Sequence, residues 1–107
     1  MRQMTAQELA ERLGDRAAEP PLLLDVREPW EYEICRIPGS QLVPMGQIVA
    51  SLGRLDPARE TVVICHHGIR SQQVARYLDH QGFERVVNLS GGVEAWARQV
   101  DPTMPNY

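Results

Sequence analysis

Cys65-His66-His67-Gly68-Ile69-Arg70 puts a thiol, two imidazoles, a glycine and a guanidinium in one short run. These types at this spacing suit nucleophilic chemistry on an anionic group. The preceding Thr61-Val62-Val63-Ile64 is β-branched and uncharged, as expected of a buried strand. The following residues, from about Ser71 to Gln81, space Val74, Ala75 and Leu78 as one helical face, with Gly82 as its stop. A cysteine between such a strand and such a helix faces successive backbone N–H groups and the positive end of the helix. Both favour the thiolate, which is the nucleophile. Gly68 permits a backbone turn that a side chain forbids, and Arg70 adds a permanent cation at the far end of the loop. The competing reading is a small buried apolar cysteine with no chemistry. A polar, glycine-containing loop directly after the cysteine favours the nucleophile.

The rest of the chain must position this loop. Thr5 and Glu8 form a capping box for a helix whose apolar stripe is Ala6, Leu9, Ala10 and Leu13. Leu22 to Val26 reads as a strand buried on both faces, Gln41 to Val43 as a short strand, and Val86 to Leu89 as another. Glu28 to Cys35 reads as a helical turn, and Ile48, Val49, Leu52 and Leu55 have helical spacing. Val93, Trp96, Ala97 and Val100 line a last helix, before an irregular tail over 101–107. Strands and helices alternate, which predicts an α/β fold with a mostly parallel central sheet of about five strands and helices on both faces. Ligands of such sheets sit beyond the carboxyl ends of the strands. Asp25 to Arg27, Cys65 to Ser71 and Ser90 to Gly92 are therefore the places to watch.

Composition narrows the function. The 107 residues carry a net charge of −3, with 43% hydrophobic and 23% charged residues, the profile of a globular chain. We read residues 1–107 as a single domain. Eleven arginines and no lysine are scattered along the chain. No basic stripe forms, so no nucleic-acid partner is expected. The N-terminus has charges where a signal peptide needs an apolar run, and no stretch approaches the roughly 20 apolar residues of a membrane span. A cytoplasmic location with reduced cysteines is expected, and no membrane partner.

Cys65 to Ser71 resembles the active-site loop of rhodanese-like sulfurtransferases, a cysteine and an arginine separated by four residues. Leu24-Asp25-Val26-Arg27-Glu28-Pro29 resembles that family's first strand, and Arg36-Ile37-Pro38-Gly39-Ser40 its histidine-isoleucine-proline-glycine segment. Gly82-Phe83 and Leu89 to Trp96 resemble its closing strand and helix. The resemblance covers nearly the whole chain, in the family's order. It implies a rhodanese-like fold in which Cys65 takes a sulfane sulfur from a donor such as thiosulfate. The Cys65 persulfide then passes it to cyanide, a thiol or a protein acceptor. Backbone N–H groups of His66, His67, Gly68, Ile69 and Arg70 would hold the terminal sulfur, and no metal or organic cofactor is implied. The tail Asp101 to Tyr107 resembles the end of rhodanese domains fused to enzymes that activate sulfur-carrier proteins, which makes such a carrier a candidate partner.

Several residues depart from the pattern. His66-His67 stands where arginine or lysine is frequent, leaving less permanent charge for a dianionic donor. The imidazoles, titrating near roughly 6.5, can restore charge on mild acidification. Cys35-Arg36 replaces glycine-histidine. Cys35 is either a thiol that resolves a disulfide with Cys65 or a partly buried bystander. Arg27 and Asp25 read first as an ion-pair partner and a strand-end brace, and Trp30, Tyr32 and Trp96 as packing residues. Related phosphatases and arsenate reductases use a loop one residue longer, and non-catalytic recognition modules of this type commonly lack the cysteine. A metal held by Cys65, His66, His67 and Cys35 lacks clear ligand spacing.

Overall fold

Period-two alternation along the apolar runs decides which side chain enters which face of the sheet. In the computed structural model, which describes residues 1–107, there are five strands: β1 (Arg2–Met4), β2 (Leu22–Asp25), β3 (Gln41–Leu42), β4 (Thr61–Ile64) and β5 (Val86–Leu89). All pair in parallel, in the order β1-β5-β4-β2-β3. Along β4, Val62 and Ile64 join one apolar cluster while Val63 and Cys65 join the other. Burying each such side chain is worth roughly 1.5–3 kcal/mol, more than the ~1 kcal/mol span of strand propensities, so burial fixes the register. Leu24 accordingly lies opposite Val63, and Val63 opposite Asn88.

Helices cover both faces, as expected. Helix α1 (Ala6–Gly14) and helix α5 (Gly92–Gln99) bury Ala6, Leu9, Val93 and Trp96 on one side. Helix α4 (Ile69–His80) buries Val74, Ala75 and Leu78 on the other. Helix α2 (Pro29–Ile34) follows β2, and a short α3 (Ile48–Ser51) follows β3. The connections leaving β2 and β4 run toward opposite edges of the sheet. Their carboxyl ends therefore open a crevice between neighbouring strands, the place where such sheets take ligands.

Three local readings need correction. Strand β1 was not expected: it is short, and only Met4 of its three residues is buried. Backbone pairing of Arg2–Met4 with Val87–Leu89 makes it. Helix α4 begins at Ile69 rather than Ser71, because Gly68 turns the chain at φ +98° and caps the helix directly. Trp30 is not a core packing residue. It lies in the first turn of α2, remains 60% exposed, and meets the Tyr107 ring edge-on at 5.7 Å. Trp96 is buried, and the Tyr32 hydroxyl donates to the Ser40 carbonyl at 2.6 Å.

Candidate active site

Cys65 follows the last residue of β4 and is 1% exposed. Its Sγ accepts the Gly68 N–H at 3.0 Å and lies 3.2 Å from the Ser71 hydroxyl. The loop thus wraps its own sulfur, with the first-turn N–H groups of α4 at its rim. Ser71 donates to Asn88 Oδ1 at 2.5 Å, and Asn88 Nδ2 donates to the Gly68 carbonyl at 3.2 Å and to Gln3 Oε1 at 2.9 Å. Strand β5 holds the loop from behind through this one buried amide. From the other side, the N-terminus of α5 does the same with backbone groups. Val93 N–H donates to the Cys65 carbonyl at 2.9 Å, and Glu94 N–H to the His66 carbonyl at 3.1 Å.

Beneath the crevice, Asp25 and Arg27 form a fully buried pair, with Nε and Nη2 donating to the carboxylate at 2.7–3.1 Å. The remaining donors of Arg27 reach the Glu31 and Cys35 carbonyls and the Tyr107 hydroxyl. Burial opposes the charge on Arg27, but the bonds to Asp25 and Tyr107 more than offset it, and the guanidinium is held above its ordinary range. Removing one partner of such a pair strands a buried charge and costs about 3–5 kcal/mol. Asp25 and Arg27 are therefore structural, as their sequence context suggested.

Arg70 is not a free cation. It donates twice to the Glu31 carboxylate, at 2.7 and 2.8 Å, across the crevice between α2 and α4. Those two bonds, against the opposing effect of burial, pull the Glu31 carboxyl down to about 2. Glu31 also accepts the Glu28 N–H at 2.8 Å and the Tyr107 hydroxyl at 3.0 Å. Tyr107 accepts from Arg27 at 2.9 Å, and burial pushes its phenol up to about 12. The tail expected to be irregular indeed lacks helix and strand, yet Met104 is buried and Tyr107 closes the site.

His66 is stacked between His67 and Tyr107, with both ring centroids at 4.0 Å. Burial, then the neighbouring His67, lower its pKa. Mild acidification therefore charges His66 less readily than the sequence suggested. Ile69 projects into solvent, 72% exposed. Cys35 packs in the cluster on the α1 and α5 face, whereas Cys65 belongs to the opposite one. Both thiols are free, and no disulfide joins them. Cys35, with His66, His67, Ala97 and Tyr107, instead lines a cleft of about 560 Å³ beside the loop. Cys65 itself does not line that cleft. No cluster of three or more His, Cys, Asp or Glu side chains is arranged to hold a metal.

Glu31, Asn88 and Tyr107 were missed in the sequence. Asn88 carried a signal, a polar residue inside an apolar strand that must find buried partners. Glu31 and Tyr107 carried little, because their partners are 39 and 76–80 residues away.

Residues 5–99 match the family model described as the rhodanese-like domain. The chain is 43% identical over 89 residues to a chloroplastic rhodanese-like/PpiC domain-containing protein of Arabidopsis thaliana, covering 79% of this chain and 30% of that one. It is 38% identical over 96 residues to a protein of Allochromatium vinosum named sulfurtransferase, covering 90% and 88% respectively. A crystal structure of a rhodanese-like domain protein from Staphylococcus aureus superposes with a TM-score of 0.83 at 32% identity, over 90% of this chain and 91% of that one.

Proposed function

The chain belongs to the rhodanese-like domain family, and on that premise we propose that it is a sulfurtransferase working through a persulfide on Cys65. The observation that carries this reading is the Cys65 sulfur seated in its loop, taking the Gly68 N–H at the start of α4. A thiolate there attacks the outer sulfur of a donor such as thiosulfate. The donor's S–S bond breaks, and sulfite leaves with the electron pair. The backbone N–H groups of residues 66–70 then hold the terminal sulfur of the persulfide. An acceptor nucleophile (cyanide, a thiol, or a protein such as a sulfur carrier) attacks that sulfur and releases the Cys65 thiolate. Two displacements replace one and give ping-pong kinetics. Neither step requires a metal or an organic cofactor. Four residues between Cys65 and Arg70 suit a single sulfur atom better than a phosphoryl group.

The test is sulfur loading followed by peptide mass spectrometry. One added sulfur is expected on Cys65 alone. Cys65→Ser should abolish transfer to cyanide, lowering turnover by at least about a thousandfold, as loss of a covalent nucleophile does. Cys35→Ser should retain most activity. Full transfer in Cys65→Ser, or Cys65-dependent hydrolysis of an aryl phosphate at a comparable rate, overturns the assignment.

A further inference from the structure

The amino ends of the strands carry a second cluster of charge, at the opposite edge of the sheet from Cys65. Arg12 lies in the last turn of α1, Arg59 two residues before β4, and Arg85 directly before β5. All strands are parallel, so these positions meet at one edge. The Leu22 N–H donates to the Glu60 carbonyl and the Thr61 N–H to the Arg85 carbonyl, both at 2.9 Å, which holds the entering segments side by side. The three arginines line a cleft of about 160 Å³ together with Glu19 and Glu60. Cys65 follows the far end of β4, roughly 13 Å of strand away.

The cations in this cleft exceed the carboxylates that engage them. Arg12 donates to Glu60 through Nε at 3.2 Å and Nη2 at 2.8 Å, and Arg2 approaches the other carboxylate oxygen at 3.5 Å. Glu60 is thereby neutralised. Arg59 and Arg85 make no ion pair and donate only to carbonyls, those of Pro20 at 3.4 Å and Ala58 at 3.1 Å. The Glu19 side chain is exposed, and only its backbone carbonyl accepts from Arg12. Arg12 Nη1 and Arg59 Nε are shielded from solvent and meet no acceptor in the protein. Shielded donors in that state are uncommon, because they have given up hydration for nothing in return.

We infer that this cleft binds one small tetrahedral oxyanion of the phosphate class, held by Arg12, Arg59 and Arg85. The three guanidinium groups arrive from three different segments, so acceptors must be offered in more than one plane. A planar carboxylate satisfies one fork, whereas a tetrahedral dianion carries oxygens toward each. Its two charges match the two arginines that have no carboxylate partner. The cleft is smaller than the roughly 300–1,000 Å³ of sites that enclose drug-sized ligands, which suits a single group. Phosphate makes the same contacts whether free or at the end of a monoester. Once bound, it ties the end of α1 to the segments entering β4 and β5. The inference stands whether or not Cys65 transfers sulfur.

Titration of isotope-labelled protein with inorganic phosphate, and separately with glycerol phosphate, tests it through the NMR signals of arginine Nε–H groups and backbone amides. Saturable shifts are expected at Arg12, Arg59 and Arg85, with a Kd of about 1 mM or tighter for at least one of the two. The tighter ligand shows whether the group is taken free or esterified. Sodium chloride at the same ionic strength should not reproduce the shifts. Arg59→Gln and Arg85→Gln should each weaken binding by at least about fivefold. Arg76→Gln, an equal loss of charge on the exposed face of α4, should change it by less than about twofold. Shifts that grow linearly to about 50 mM with both ligands overturn the inference, as does an equal response to chloride. These outcomes are read in the parent protein and need no variant to fold. Unchanged affinity in folded Arg59→Gln and Arg85→Gln overturns it too. So do shifts centred on the amides of residues 66–70, which place the anion in the cysteine loop instead.

Discussion

Tyr107 joins three groups that chain order keeps far apart. Its hydroxyl accepts from Arg27 and donates to Glu31, while its ring lies at 14° to that of His66. One phenol thus links the buried Asp25–Arg27 pair to the Glu31–Arg70 pair and covers the first loop residue after Cys65. Tyr107→Phe keeps the ring and removes both bonds. Arg27 Nη1 retains the Glu31 carbonyl, but the Glu31 carboxylate loses a donor in a place water reaches poorly. Hydrogen bonds to charged groups contribute about 1.5–3 kcal/mol, and partial rescue by water brings the expected loss to about 1–2 kcal/mol. Urea unfolding measures it. Tyr107→Leu, which also removes the stack on His66, should lose more. Stability of Tyr107→Phe within about 0.5 kcal/mol of the parent would show that the hydroxyl ties nothing down.

At the scale of elements, the active loop is held by the start of α5 as much as by its own helix. Gly92 sits at φ +60°, and a Cβ there would fall on the carbonyl oxygens of Cys65 and His66. Those are the residues whose carbonyls accept from Val93 and Glu94. Gly92→Ala must therefore both strain its backbone and push the loop. A stability loss of roughly 2–4 kcal/mol is expected. Sulfur transfer should fall by about a hundredfold, because displacement near 1 Å at reacting atoms has that effect. Gly46→Ala, where a Cβ meets nothing within 4 Å, is the control. Comparable activity of the two variants would mean that the α5 contact does not position the loop. Elements with strong local signals were legible: β4 in its branched apolar run, α1 in its capping box, α5 in its stripe. Strand β1 was not, since register with β5 rather than side-chain pattern creates it. The start of α4 was misplaced by two residues because the capping turn depends on Gly68 alone. Cys65 and its loop were visible as a motif. What surrounds them was not, because ion pairs across 39 residues leave no local trace.

Across the whole molecule, the sheet separates what the sequence left together. Cys35, at the end of α2, packs in the cluster on the α1 and α5 face, whereas Cys65, following β4, packs in the cluster on the other face. The same sheet gathers Asp25, Arg27, Glu31, Arg70 and Tyr107 at one end, from β2, α2, α4 and the tail. This cluster should make the stability of the fold fall in acid. Glu31 falls from the ordinary 4.5 to about 2 in the folded chain. Between those values the unfolded chain binds the proton and the folded chain does not, so stability rises with pH across the window. The contribution is complete above about 4.5 and lost as pH falls through about 2. After allowance for solvent screening it amounts to about 2 kcal/mol. His66 adds in the same sense at higher pH, because its folded pKa is lowered: protonation of the unfolded chain below about 6.5 begins to favour unfolding. Urea unfolding of the parent and Glu31→Gln from pH 7 to pH 3 separates the two groups. Both proteins should lose stability as pH falls below about 6.5, where the unfolded chain's His66 begins to take up a proton that the folded chain holds less readily. Below about pH 4.5 the parent should fall further, and its advantage over Glu31→Gln should shrink steadily. Parallel curves over that lower range would mean that the Glu31–Arg70 bond does not couple to folding.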